Sequence, residues 1–158
     1  MNIARLLAPL DDPLLADFVA QLDPVNAVAD AAEGFRWRLE TAEGNATALR
    51  IFDDDWLIVN MSVWASVEAL LAYVYGPDHR AVLRRRREWF HRLTEAVTAL
   101  WWVPAGHRPT IAEAEDRLLH LRANGPTPGA FTLRETFRPP GARAAEPQVR
   151  DFVGCDAD

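Results

Sequence analysis

Apolar and polar positions along the chain follow two periods, and the switches between them mark the predicted elements. NIARLLAPL, from Asn2 to Leu10, reads as a short opening strand. Asp12-Pro13 then supplies an N-cap and a first-turn proline, and Leu15, Phe18, Val19 and Leu22 recur at helical spacing. Pro24 predicts an interruption, followed by a second helical piece from Val25 to Ala32 and a stop at Gly34. FRWRLE, from Phe35 to Glu40, alternates apolar and basic residues with the period of a half-buried strand. EGNATALRIFDD is a turn-rich hairpin region in which Asp53-Asp54-Asp55 reads as a solvated acidic loop. DWLIVNMSVW, from Asp55 to Trp64, is the strongest strand pattern in the chain.

The second half has the same kind of punctuation. Ser66 opens a helix carrying Val67, Leu70, Leu71 and Val74, and Gly76-Pro77 ends it. Asp78 is expected to cap a helix that runs through an arginine cluster to about Leu93. TALWWVP, from Thr98 to Pro104, is another strand candidate. Thr110 with Glu113 forms a capping box after Pro109, and Asn124-Gly125 stops that helix. AFTLRETF, from Ala130 to Phe137, reads as a last edge strand. The order predicts an α+β, ferredoxin-like (βαββαβ) domain over residues 1–137, with an extra C-terminal helix and strand. Helices then cover one sheet face only, so a second subunit is the simplest cover for the other, and a homodimer is expected. Residues 138–158, rich in Pro, Ala and acids, are expected to form a disordered tail.

The arginine cluster, HRAVLRRRREWF from His79 to Phe90, raises a sharper question. Wound at about 100° per residue, a helix through it puts Arg86 and His79 within the face made by Val82, Leu83, Phe90 and Leu93. Arg84, Arg85 and Glu88 fall outside or beside that face, and Arg87 at its boundary. A buried Arg86 needs a partner. It forms an internal salt bridge, or anchors an anionic ligand, or a kink swings it to solvent. His79 is either a satisfied structural histidine or a group that handles a proton or a ligand.

The strand IVNMSVW carries a second anomaly. Leu57, Val59, Met61 and Val63 share one face, and Ile58, Asn60, Ser62 and Trp64 the other. An amide, a hydroxyl and an indole beside an apolar residue suit a ligand cavity, or equally a dimer interface with a few hydrogen bonds. Trp37, Trp101 and Trp102, on neighbouring strand candidates, offer an aromatic wall.

Composition narrows the function. The chain of 158 residues carries a net charge of −6, and its 17 basic residues are all arginine, which excludes a lysine Schiff base. Nucleic-acid binding is not expected from that charge or from arginines dispersed around a helix. The single cysteine, Cys155, allows no intrachain disulfide and reads as an inert exposed thiol. The four histidines form no ligating pattern, so no metal is expected, and neither is a cofactor, since GxGxxG, Walker and GxSxG motifs are absent. With no apolar run of membrane length and no signal pattern, no membrane association and a cytoplasmic location are expected.

The segments DPVNAVADAAEGFRWRL, IVNMSVWASVEALLAYVY, HRAVLRRRREWF and WWVPAGHRPTIAEAEDRLLHLRANGPTPGAFT resemble the bacterial family called domain of unknown function 3291, over roughly residues 2 to 137. That family is similar in fold to the dimeric α+β barrel superfamily, with its antibiotic biosynthesis monooxygenases, haem-degrading monooxygenases and small isomerases. The resemblance implies a homodimer with a pocket between sheet and helices in each subunit, and no assigned reaction. A polar side chain and a tryptophan near the substrate recur in cofactor-free monooxygenases of the superfamily, and Asn60 and Trp64 fit by type.

The leading expectation is therefore a small-molecule enzyme or binder of the monooxygenase-like type, acting on a flat, partly apolar compound with an anionic group. His79 or Asn60 would handle a proton or polarise an oxygen. Trp37, Trp64 and Trp102 would form the wall with Ser62 beside them, and Arg86 would hold the charge. The alternatives are a haem-binding protein with His79 as axial ligand and a non-catalytic dimeric binding protein in which Arg86 is structural.

Overall fold

The computed structural model describes residues 1–41 and 44–142. Its elements are β1 (Asn2–Arg5), a 3-10 turn (Pro13–Leu15), α1 (Ala16–Asp30), β2 (Phe35–Arg38), β3 (Leu57–Asn60), β4 (Ser62–Trp64), α2 (Val67–Val74), α3 (Pro77–Arg85), a second 3-10 turn (Arg86–Glu88) and α4 (Ile111–Asn124). Helices combined with small antiparallel sheets make the class α+β.

Several boundaries follow local chemistry visible in the sequence. Asp12 accepts the Leu14 N–H and precedes Pro13, and Ser66 caps α2 by accepting the Ala69 N–H at 3.1 Å. Thr110 and Glu113 form the capping box of α4, which closes at Gly125 with φ 70°. Two expectations need correcting. Pro24 lies inside an unbroken α1. Its missing N–H frees the Ala20 carbonyl, and both residues are exposed, so water can satisfy that oxygen. The cap of α3 is Gly76 rather than Asp78, because Pro77 takes the first helical position, where a missing N–H costs nothing.

The long strand pattern from Asp55 to Trp64 is divided between two neighbours. β3 pairs antiparallel with β1, Val59 opposite Ile3, whereas β4 pairs antiparallel with β2, Trp64 opposite Phe35. Met61 is the handover point, its carbonyl accepting the Leu39 N–H at 2.8 Å. The other edge of β1 is met by the chain after α3. His91 N–H bonds the Arg5 carbonyl, Leu7 N–H the Trp89 carbonyl, and Ile3 N–H the Val97 carbonyl, with bridges Leu6 to Phe90 and Asn2 to Thr98. Thr98–Pro104 and Ala130–Phe137 do not form the continuous strands expected of them. They pair only at single points, Leu100 with Phe131 among them. Past Phe131 the Thr132 hydroxyl accepts the Arg134 and Glu135 N–H groups, which removes donors that a ladder would use.

Two apolar clusters lie on opposite faces of the β1–β3 pair. Ile3, Val59 and Met61 pack with Ala114, Leu118 and Leu121 of α4. Leu6 packs with Leu15, Phe18 and Trp89, with Ile58 against them. α4 thus packs on the face that carries Ile3, Val59 and Met61. Near the β3 entry the acidic loop is paired rather than merely solvated, Asp54 with Arg5 at 2.7 Å and Asp55 with Arg50 at 2.6 Å. The expected tail beyond Ala142, with Cys155, lies outside the described residues.

Candidate functional site

A cavity of about 790 Å³ lies where the run from Asn60 to Trp64 meets the helices. α1 contributes Val25, Asn26 and Ala29, α2 contributes Leu70, Tyr73 and Val74, and α3 contributes His79 and Leu83. The loop 104–109 closes another side. Trp37, Asn60, Ser62, Trp64, His79 and Trp102 all line this space, with Trp101 beside them. Met61 and Val63 line it as well, Ile58 does not, and the helix that begins at Pro77 adds His79.

Arg86 is not among the lining residues. The α-helix ends at Arg85, so the helical phase that placed Arg86 under the apolar face does not hold. Pairing of Phe90 with Leu6 and burial of Trp89 pull the chain into a 3-10 turn and then an extended path. Arg86 is exposed and donates to the Leu83 carbonyl at 2.8 Å, so the kinked alternative is the one realised. The arginine that the fold uses is Arg85. It pairs with Asp17 at 2.7 Å and Glu88 at 2.8 Å and lies 4.9 Å over the Trp89 ring.

The cavity wall is built around a column of rings. Phe35 meets Trp64 edge-on at 5.5 Å, Trp64 stacks on Tyr73 at 5.1 Å, and Tyr73 lies 4.8 Å from His79. Tyr73, which sequence reasoning missed, joins Trp64 to His79. On the α2 stripe it looks like one more core residue, and no spacing signal sets it apart. Its phenol donates to the Val25 carbonyl at 3.4 Å, and burial, then the Asp30 charge, pushes its pKa up to about 12. It stays neutral at any physiological pH. The Trp64 indole N–H donates to Ser62 Oγ at 2.9 Å, and the Trp102 indole N–H to the Phe137 carbonyl at 2.7 Å. Both indoles are pinned, and the Ser62 hydroxyl proton is left to donate elsewhere. Asn60, opposite Asn2 in the register, is exposed at the cavity rim, and no described residue bonds its amide.

Two histidines line this cavity, His79 in its wall and His107 in the 104–109 loop. The His79 Nδ1 lies 3.1 Å from the Val74 carbonyl oxygen. A carbonyl only accepts, so Nδ1 carries the proton and Nε2 keeps its lone pair. Among the described residues nothing bonds Nε2. Burial lowers the pKa of the ring, with the Val74 bond opposing in part, so the ring is neutral at pH 7.

Three arginines border the same space. Arg38 is spoken for by Asp30 at 2.9 Å, Glu40 at 3.0 Å and the Gly44 carbonyl at 2.6 Å. Among the described residues Arg36 donates only to the Phe35 carbonyl, and Arg108 is exposed with no carboxylate partner. These two line the cavity, and Arg86 does not. The loop bearing Arg108 is tied to α4: His107 Nε2 lies 2.9 Å from Glu113, whose carboxylate also accepts the Thr110 N–H at 2.9 Å. Those two bonds, the Thr110 one first, hold the Glu113 pKa below its usual value.

No group of three or more His, Cys, Asp or Glu side chains able to hold a metal occurs among the described residues. No helix among them is long and apolar enough to cross a membrane. No curated protein and no solved structure matches the chain. A family model does match, over residues 1–148, a span that passes the boundary at 137 drawn from the quoted segments. The chain belongs to the family described as Domain of unknown function (DUF3291).

Proposed function

We propose that the cavity binds a flat, partly apolar organic anion and that His79 takes a proton from it. The observation that carries this reading is the state of His79: a neutral ring in the cavity wall, its Nδ1–H held by Val74 and its Nε2 without a protein partner among the described residues. A general base needs that lone pair and that fixed ring. Trp37, Trp101 and Trp102 supply apolar contact, Ser62 and Asn60 face the oxygen that becomes anionic, and Arg36 and Arg108 take the ligand's own charge. Proton removal is the step that a cofactor-independent monooxygenase and a small isomerase have in common. In an isomerase, His79 returns the same proton to a different carbon and the atoms balance without a further reagent.

The pairing order supports the finer fold reading. Segments 89–91 and 97–99 run beside β1, β1 beside β3, and β4 beside β2, which is the neighbour order of a ferredoxin-like sheet. A homodimer rests on the family resemblance, since helices of the same chain lie beside both faces, α4 at Val59 and Met61 and α1 to α3 beside Asn60, Ser62 and Trp64. Calorimetric titration with 2-naphthoate, a flat apolar anion, tests the site. Binding is expected to weaken about tenfold in Arg108→Gln and to stay unchanged in Arg86→Gln. Equal affinity in both variants and in Trp102→Ala defeats the proposal.

One observation favours a second reading. A neutral imidazole with Nδ1–H on a carbonyl and Nε2 free is also the arrangement of an axial haem ligand. A Soret shift on adding haemin that disappears in His79→Ala supports haem. Its absence leaves the proton-transfer reading.

A further inference from the structure

The arginine run has a use that the cavity does not absorb. Tyr75, Arg80, Leu83, Arg84 and Arg86 line a groove beside the α2–α3 turn. In a chain of net charge −6, none of these three arginines has a carboxylate partner among the described residues, whereas Arg85 within the same run has two. The helix dipole accounts for a cation at Arg84, in the last turn of α3. It does not account for Arg80, near the N-terminal end, where a positive charge is disfavoured. Arg80 and Arg84 are four residues apart and share one side of the helix. The Arg86 guanidinium is steadied by the Leu83 carbonyl at 2.8 Å. Tyr75 is 61% exposed, more than Leu14, Val19, Val28, Trp56 or Leu119, the other large apolar side chains at the surface.

We infer that this groove binds a phosphorylated small molecule carrying a flat ring. Guanidinium forks match phosphate oxygens in geometry as well as charge, and an exposed tyrosine ring gives a planar group a face to stack on. The site is separate from the cavity; Leu83 alone lines both. A merely solvated set of charges would attract anions without saturation and without regard to which arginine is removed.

The test is titration of the whole protein with ADP, pyrophosphate and adenosine at physiological ionic strength, followed by amide and side-chain NMR shifts. ADP is expected to bind saturably, pyrophosphate more weakly, and adenosine not at all. Arg80→Gln and Arg84→Gln should each weaken ADP about tenfold, the loss of one charge-assisted contact. Tyr75→Ala should weaken ADP and spare pyrophosphate. Arg87→Gln is the control, since Arg87 is exposed in the same run but outside the groove; it should change affinity less than twofold. All these positions are exposed, so matching thermal melts show that the variants are folded. The inference is overturned if ADP shows no saturable binding at millimolar concentration. It is equally overturned if Arg87→Gln weakens binding as much as Arg84→Gln, or if single-stranded DNA binds where ADP does not.

Discussion

His79 Nδ1 lies 3.1 Å from the carbonyl oxygen of Val74, across the Gly76-Pro77 turn that separates α2 from α3. Val74 is the last residue of α2, where carbonyls lack helical partners, so the bond satisfies one orphan acceptor and fixes the ring's tautomer at once. His79→Ala is expected to cost about 1 kcal/mol of stability, the worth of one such hydrogen bond, together with all proton abstraction. His79→Asn keeps a short donor near the Val74 carbonyl, so it should recover most of the stability and none of the activity. Urea denaturation of the two variants checks the first half. Recovery of activity in His79→Asn would show that His79 is structural.

The depressed pKa values of His79 and Glu113 make stability fall with pH in two different ranges. His79 is held neutral by burial, so between its folded value and the ordinary 6.5 the unfolded chain binds a proton that the folded chain does not. Its contribution is complete above pH 6.5 and declines as pH falls below that. Glu113 is held ionised, chiefly by the Thr110 N–H and then by His107, so its contribution declines only as pH drops below the usual 4.5 toward its folded value. Thermal melts across this range should show stability falling with pH, and His79→Asn should lessen the upper loss but not abolish it, because burial also lowers the Met1 amino group to about 5. Any proton abstraction by His79 should likewise rise with pH, with its inflection below 6.5.

The arginine run should divide sharply on mutation. Arg86→Ala and Arg84→Ala, at exposed positions without ion pairs, should each change stability by no more than ~0.5 kcal/mol. Arg85→Ala removes the bridge to Asp17 on α1, the pair with Glu88 and the contact over Trp89, so its melting temperature should fall furthest of the three. A larger loss at Arg86 than at Arg85 contradicts the helix end described here.

Gly34 and Gly106 have nearly the same backbone, with φ 81° and 82°, and differ in what surrounds them. A Cβ on Gly34 would lie 2.6 Å from Ala69 Cβ, where β2 meets α2; one on Gly106 meets nothing within 4 Å. Gly106→Ala should cost about 1 kcal/mol, the price of a left-handed alanine, and Gly34→Ala about 2–4 kcal/mol, with steric overlap added. Equal losses would mean that β2 and α2 can separate without penalty.

Local chemistry was legible where it is decided locally. Caps and stops at Asp12, Ser66, Thr110 and Gly125 depend on side chains within three residues of the boundary, and the sequence shows them. The alternation of IVNMSVW does not divide the cavity lining, which takes Met61 and Val63 as well as Asn60, Ser62 and Trp64 and leaves out Ile58. Arg86 failed because the end of α3 is set by a distant partner: Phe90 pairs with Leu6, more than eighty residues away in the chain, and no helical wheel contains that contact. Arg36 and Arg108 were invisible as anion partners for a related reason. Being available depends on where every carboxylate goes, and Arg38, two residues from Arg36, is taken by Asp30 and Glu40. That α4 in particular packs on Ile3, Val59 and Met61 is also a long-range outcome, hidden in a helix that reads as ordinary amphipathic sequence.

The most direct measurement is long-range proton–nitrogen NMR of the His79 imidazole during titration with 2-naphthoate at pH 7. The account predicts a neutral ring protonated on Nδ1, whose Nε2 resonance moves saturably with the ligand while those of His91 and His120, which lie outside the cavity, stay fixed. A charged ring, the opposite tautomer, or a His79 signal that does not move at saturation would contradict the claim that His79 is the working group of the cavity.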